Sequence, residues 1–168
     1  MMKLIGAVLV AAGGTALGLC AAERLKSRER ALDEICQGLQ LLEQELLLDC
    51  PPLEELFERL TGCTEGTSRT LFERCAVELR QRRKSVPQLW QEAVWNCTEL
   101  GPEGCAGLAG LGNFLGRSDC EHQQEAVEQV RLRMDELRRR AGQNRREKEK
   151  LFQILGVSGG TFLAVLLL

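Results

Sequence analysis

The chain has no tyrosine, a single histidine (His122), and only two Trp and five Phe among 168 residues. One imidazole leaves little for acid–base or metal chemistry. No H-E-x-x-H, G-x-S-x-G or G-x-x-x-x-G-K-[ST] is present, so no catalytic residue and no cofactor is expected. The eight cysteines form no C-x-x-C, which removes the usual zinc spacings and with them any metal expectation. Proline is limited to Pro51, Pro52, Pro87 and Pro102, so few breakers stand in the way of long helices. A strong charge of either sign is also missing: the formal net charge is −2, which gives no electrostatic case for nucleic acid. Val, Ile and Thr are thin between residues 23 and 150, where Leu, Glu, Gln, Arg and Ala dominate. That mix favours helix.

Two uncharged apolar runs are present, one at each end: 4–22 and 151–168. A helix crossing a hydrocarbon core of roughly 30 Å needs about 20 apolar residues, so both qualify as transmembrane helices. Between them, residues 23–150 have the size of one domain. Lys3 precedes the first run and Arg24, Lys26, Arg28 and Arg30 follow it; a dense basic stretch, Arg138–Lys150, precedes the second. The excess of cations on the inner flanks places residues 23–150 in the cytoplasm and both termini outside. The competing reading, a cleaved signal peptide, is disfavoured by the thin start, Lys3, and by the cations from Arg24 to Arg30. In a cytoplasmic domain the eight cysteines read as small buried hydrophobes kept reduced.

Leu25, Leu32, Ile35, Leu39, Leu42 and Leu46 follow a 3/4 spacing and predict a long first helix over 23–48, continuous with the first span. Glu34 falls on the opposite face, where a substitution is expected to matter little. Asp49-Cys50-Pro51-Pro52 ends this helix. Shorter helices are predicted over 52–60 (closed by Thr61-Gly62), 67–83, 86–98 and 103–115. The last is weakened by Gly104, Gly107, Gly110 and Gly112, which would allow close backbone packing instead. A sixth helix, with Val127, Val130, Met134, Leu137 and Ala141 as its seam, runs into the second span. The fold predicted is all-α: an antiparallel six-helix bundle whose first and last helices continue as N- and C-terminal transmembrane helices. Leu32, Ile35 and Leu39 are expected to face Val130, Met134 and Leu137.

Four features carry a specific expectation. Ser85 (with Gln88) and Ser118 (with Glu121) have the spacing of capping boxes at the starts of the fourth and sixth helices. Gly14/Gly18 and Gly156/Gly160 have the G-x-x-x-G spacing that lets membrane helices approach, and an antiparallel hairpin would bring them level. Arg138, Arg139, Arg140, Arg145 and Arg146 form a candidate basic membrane-proximal surface; the plainer account is a positive-inside flank with a solvated face. Cations at Arg80, Arg82, Arg83 and Lys84 suit the C-terminal end of the third helix.

Several segments together resemble the stage III sporulation protein AB family of endospore-forming bacteria. They are Met2–Val8, Leu39–Glu45, Pro52–Glu55, Leu115–Asp119 and above all Lys150–Gly160 followed by leucines. The likeness covers the whole length and is similar in turn to the cytoplasmic helical domain of the type II secretion platform protein. Gly112-Asn113-Phe114-Leu115-Gly116 falls where that superfamily has Gly-Glu-x-x-Gly; here Asn113 replaces the Glu. Ser85 stands where a Gly is common. The resemblance implies a non-enzymatic component of the channel complex linking mother cell and forespore, in the mother-cell membrane facing the forespore. Its implied partners are the cytoplasmic ATPase of that complex, the other channel subunits and the lipid bilayer, and oligomeric assembly is compatible with it. The rival reading is a membrane-anchored coiled-coil scaffold of cell-envelope assembly that never contacts an ATPase.

Overall fold

The computed structural model describes the backbone of residues 2–116 and 119–167 and the side chains of 22–116 and 119–147. Among the described residues the chain is all-helical. Six α-helices follow one another: α1 (Met2–Leu48), α2 (Leu53–Cys63), α3 (Gly66–Gln81), α4 (Val86–Trp95), α5 (Gly101–Ala109) and α6 (Cys120–Leu167). Two 3-10 turns, Thr98–Leu100 and Gly110–Asn113, flank α5. The chain divides into two compact units, residues 28–139 and the paired terminal segments 1–27 with 140–168. Among the described residues no helix is long and apolar enough to cross a membrane. The uncharged runs 4–22 and 151–168 lie, but for Ala22, outside the residues whose side chains are described, although α1 and α6 pass through both as helix.

The predicted seam of α1 is the wall of the core. Leu32, Ile35, Leu39, Leu42 and Leu46 are all at most 2% exposed, as a 3/4 spacing on one helix face requires. Phe57 of α2, Phe72 of α3 and Trp90 of α4 meet in a cluster, with ring centroids 6.0 Å (Phe57–Phe72), 6.1 Å (Phe57–Trp90) and 6.5 Å (Phe72–Trp90) apart. These are distances at which aromatic pairs attract beyond simple burial. The buried indole N–H donates to Leu108 O at 2.9 Å, so the largest side chain in the core leaves no polar atom unpaired.

Boundaries differ from expectation where side chains or glycines intervene. Helix α2 runs through Thr61 and Gly62 to Cys63, and inside it the Thr61 hydroxyl donates to Phe57 O (2.7 Å). It ends at Thr64, which is extended and whose hydroxyl donates to Leu60 O. Helix α3 stops at Gln81, since Arg82 turns left-handed (φ 49°) as the cap residue. Helix α5 gives way to a 3-10 turn at Gly110. There Gly112 lies under Trp90: a Cβ on Gly112 would stand 2.8–2.9 Å from the Trp90 Cβ, Cγ and Cδ1. Gly107 likewise makes room for Met134, whose Cε would meet such a Cβ at 2.5 Å. Two of the four glycines of this stretch thus act as close-packing positions.

The cysteines depart from the reading of them all as reduced core residues. Cys75, Cys97 and Cys105 are buried, but Cys63 is exposed, and Cys50 and Cys120 are joined as a disulfide with Cα atoms 6.1 Å apart. The turn after α1 brings them together: Cys50 follows the last residues of that helix, and Cys120 opens α6.

Candidate functional site

Among the described residues, three polar links join α1 to α6 and a disulfide joins Cys50, just past the end of α1, to the start of α6; together they define an antiparallel register. Cys50 bonds Cys120; the Gln124 amide donates to Leu46 O at 2.9 Å; Arg131 pairs with Glu43 at 2.7 Å; Arg138 pairs with Asp33 at 2.7 Å. Four residues back along α1, from Cys50 to Leu46, match four forward along α6, from Cys120 to Gln124. The thirteen residues from Leu46 to Asp33 match fourteen from Gln124 to Arg138. The pairing expected of the two long helices is present, but its described rungs are polar. The apolar residues predicted to meet across it also serve α5: Leu32 lies against Gly104 and Met134 against Gly107. Half-exposed ion pairs of this kind contribute less than about 1 kcal/mol each. Their value lies in setting register, because a slip would separate all of them together.

The basic run of α6 is shared out between distinct jobs. Arg138 bridges Asp33 and Asp135, and Arg139 pairs with Asp135 at 2.9 Å. These two cations therefore work inside residues 28–139. Arg140, Arg145 and Arg146 belong to the terminal unit.

At the starts of the helices, Ser85 caps α4 in a capping box, with Gln88 Oε1 accepting from the Ser85 N–H at 3.2 Å. Ser118 lies outside the described residues. The described cap bond of α6 comes from Asp119, whose Oδ1 accepts from the His122 N–H at 3.3 Å and also contacts the imidazole. That contact raises the His122 pKa above the usual value and lowers that of Asp119, the side-chain hydrogen bond being the main cause in both. Both groups are exposed to solvent, so the pair is a surface feature of the helix end.

Glu34 was misplaced by the sequence pattern. Its side chain is only 17% exposed, held by Arg30 at 3.0 Å, and Oε2 accepts from the Thr67 N–H at 2.7 Å. Helix α3 has no side-chain cap of its own, and Glu34 supplies one from α1. The chain approaches it with Gly66 at φ +59°, where a Cβ would run into the Glu34 carboxylate. No local signal ties residue 34 to residue 67. The α1–α6 rungs, by contrast, could have been found by laying the acids at 33 and 43 antiparallel to the arginines at 138 and 131.

Among the described residues no group of three or more His, Cys, Asp or Glu is placed to hold a metal ion. The buried thiols are chemically quiet: burial pushes Cys75 up to about 12, and burial pushes Cys97 up to about 11. Gly14, Gly18, Gly156 and Gly160 lie outside the residues whose side chains are described.

The stage III sporulation protein AB family model matches residues 3–168. The chain belongs to that family. Stage III sporulation protein AB of Bacillus subtilis (strain 168) is 26% identical over 171 residues, covering the whole of both chains. A solved structure titled stage III sporulation protein AB superposes with a TM-score of 0.63 at 20% identity, over 71% of this chain and 97% of that one. At that identity the likeness shows the fold. Membership of the family supports a role in sporulation.

Proposed function

We propose that the chain is a non-enzymatic, membrane-anchored platform in the channel complex between mother cell and forespore, coupling a cytoplasmic ATPase to membrane channel subunits. The observation that carries this reading is the continuity of α1 and α6. Each is one unbroken helix that includes both a stretch of the bundle and an uncharged run at its own end of the chain. Such runs suit a bilayer, and the grouping of 1–27 with 140–168 in one unit suits a hairpin of two spans. In that hairpin Gly14 and Gly18 pack against Gly156 and Gly160. Arg140, Arg145 and Arg146 then lie at the headgroups on the mother-cell side. The bundle of residues 28–139 stands in the mother-cell cytoplasm and offers its surface to the ATPase.

The test is affinity purification of the tagged chain from detergent-solubilised sporulating cells. Recovery of the complex's ATPase together with its membrane subunits is the expected result. Recovery of membrane subunits without the ATPase, under conditions that preserve other ATPase contacts, would favour a scaffold with no ATPase contact.

A further inference from the structure

Cys50 and Cys120 differ from the other described cysteines in state; Cys36 is also half-buried but unbonded. Cys75, Cys97 and Cys105 are buried, and Cys63 is exposed and unbonded. Cys50 and Cys120 are half-buried and bonded to one another. Their Cα separation of 6.1 Å falls within the roughly 4.4–6.8 Å that a disulfide spans without moving the backbone. Solvent reaches both residues, so a small thiol has a path to the bond.

Two features mark the bond as exchangeable. Cys50 sits at φ 41°, a left-handed conformation that residues with a Cβ avoid unless their surroundings enforce it. It occupies the position after α1 where glycine usually ends a helix. Cys120 is the first residue of α6. The positive end of the helix dipole favours a sulfur anion there, which makes Cys120 the leaving group in the exchange.

We propose that Cys50 and Cys120 form a reversible thiol–disulfide exchange site that reacts with dithiol reductants and, when oxidised, fastens the end of α1 to the start of α6. A thiolate of the reductant attacks Cys50 Sγ. The S–S bond breaks and its electron pair leaves on Cys120 Sγ, so Cys50 is joined to the reductant as a mixed disulfide. The second thiolate of the reductant then attacks the reductant's own sulfur in that mixed disulfide, closing a cyclic disulfide and releasing Cys50 as thiolate. Two electrons pass from the dithiol to the protein, and the dithiol's two protons end on Cys50 and Cys120. Oxidation by a disulfide of the same class runs the steps in reverse. The neighbouring rung from Gln124 to Leu46 O is the next link along the pair. Opening the covalent link leaves the bond from Gln124 to Leu46 O as the nearest described link between the two helix ends, beside Leu47 and Leu48, which are already 63% and 82% exposed. A cytoplasmic bundle would meet dithiol reductants continuously, but the inference rests on the cystine's geometry and stands without the proposed function.

The experiment uses the full chain in detergent, equilibrated in dithiothreitol buffers from fully oxidised to fully reduced, quenched by alkylation and mapped by mass spectrometry. The expected result is one two-electron transition in which the Cys50–Cys120 cross-linked peptide gives way to two alkylated peptides, with Cys63 alkylated throughout. The amides of Leu47–Cys50 and Leu53 should exchange hydrogen at least tenfold faster in the reduced chain. Cys120→Ser should abolish the cross-link and Cys63→Ser should leave it unchanged; the wild-type map decides the matter even if the Cys120 variant folds poorly. Alkylation of Cys50 and Cys120 in every buffer, a cystine that resists excess dithiothreitol in the folded chain, or cross-links to other cysteines would each overturn the exchange site. Equal amide exchange in the two states would overturn the fastening.

Discussion

A single carboxylate shows how far a residue's role can lie from its position in a pattern. Glu34 sits off the leucine seam of α1, so periodicity alone marks it as solvated. Its function comes instead from residue 67, whose N–H it accepts at 2.7 Å, and from a helix start that lacks any local cap. An orphan N–H at a helix start costs about 0.5–2 kcal/mol when its cap is removed. Glu34→Lys also leaves Arg30 facing a cation in place of its partner. Thermal melting followed by circular dichroism should therefore drop by several degrees for Glu34→Lys. Gln40→Lys, at an exposed position of the same helix, should melt within error of wild type. Equal melting of the two variants would mean that α3 holds its first turn without the α1 carboxylate.

At the scale of elements, the sequence announced most of the helices and few of their true ends. The α1 seam was legible because six leucines and isoleucines at 3/4 spacing mark one face; five of them are buried in the core, and Leu25, at the N-terminal end of the seam, is half-buried. The α4 start was legible because the Ser85–Gln88 spacing is a local signal, and the capping box is there. The end of α2 was not, because a Thr-Gly pair that reads as a stop lies inside a helix that runs on to Cys63. Nor was the shift to a 3-10 turn at Gly110, which depends on Trp90 arriving from another helix. The glycines of this stretch make the point testable. A methyl on Gly112 must displace Trp90 side-chain atoms 2.8–2.9 Å away, and overpacking of a tight core typically costs about 1–3 kcal/mol. Gly110 has nothing within 4 Å of its would-be Cβ, and replacing a glycine in a compatible conformation stabilises by about 0.4–1 kcal/mol. Gly112→Ala should lower the melting temperature and Gly110→Ala should raise it. The same direction for both would show that helix propensity, and not the contact with Trp90, governs this segment.

For the whole molecule, the long-range polar links join residues about 75 to 105 apart in the chain, and only the rungs at 33/138 and 43/131 could be aligned from charge. The proposed orientation rests on charge. Only Lys3 precedes the first uncharged run, whereas Arg24, Lys26, Arg28 and Arg30 follow it and the Arg138–Lys150 stretch precedes the second. In the proposed orientation, the cations on the inner flanks of both runs would keep residues 23–150 in the cytoplasm. The structure identifies which thiol can report on this. Cys63 is exposed, whereas Cys97 is 4% exposed with its pKa pushed up to about 11, so Cys97 should stay unmodified on either side of a membrane. A membrane-impermeant maleimide applied to intact cells should leave Cys63 unmodified by peptide mapping, and the same reagent after permeabilisation should modify it. Modification of Cys63 in intact cells would place the bundle outside and remove the ATPase from its reach. Protection of Cys63 even after permeabilisation would instead mean that another chain covers the end of α2, and a thiol probe elsewhere on the exposed surface would then have to report the orientation.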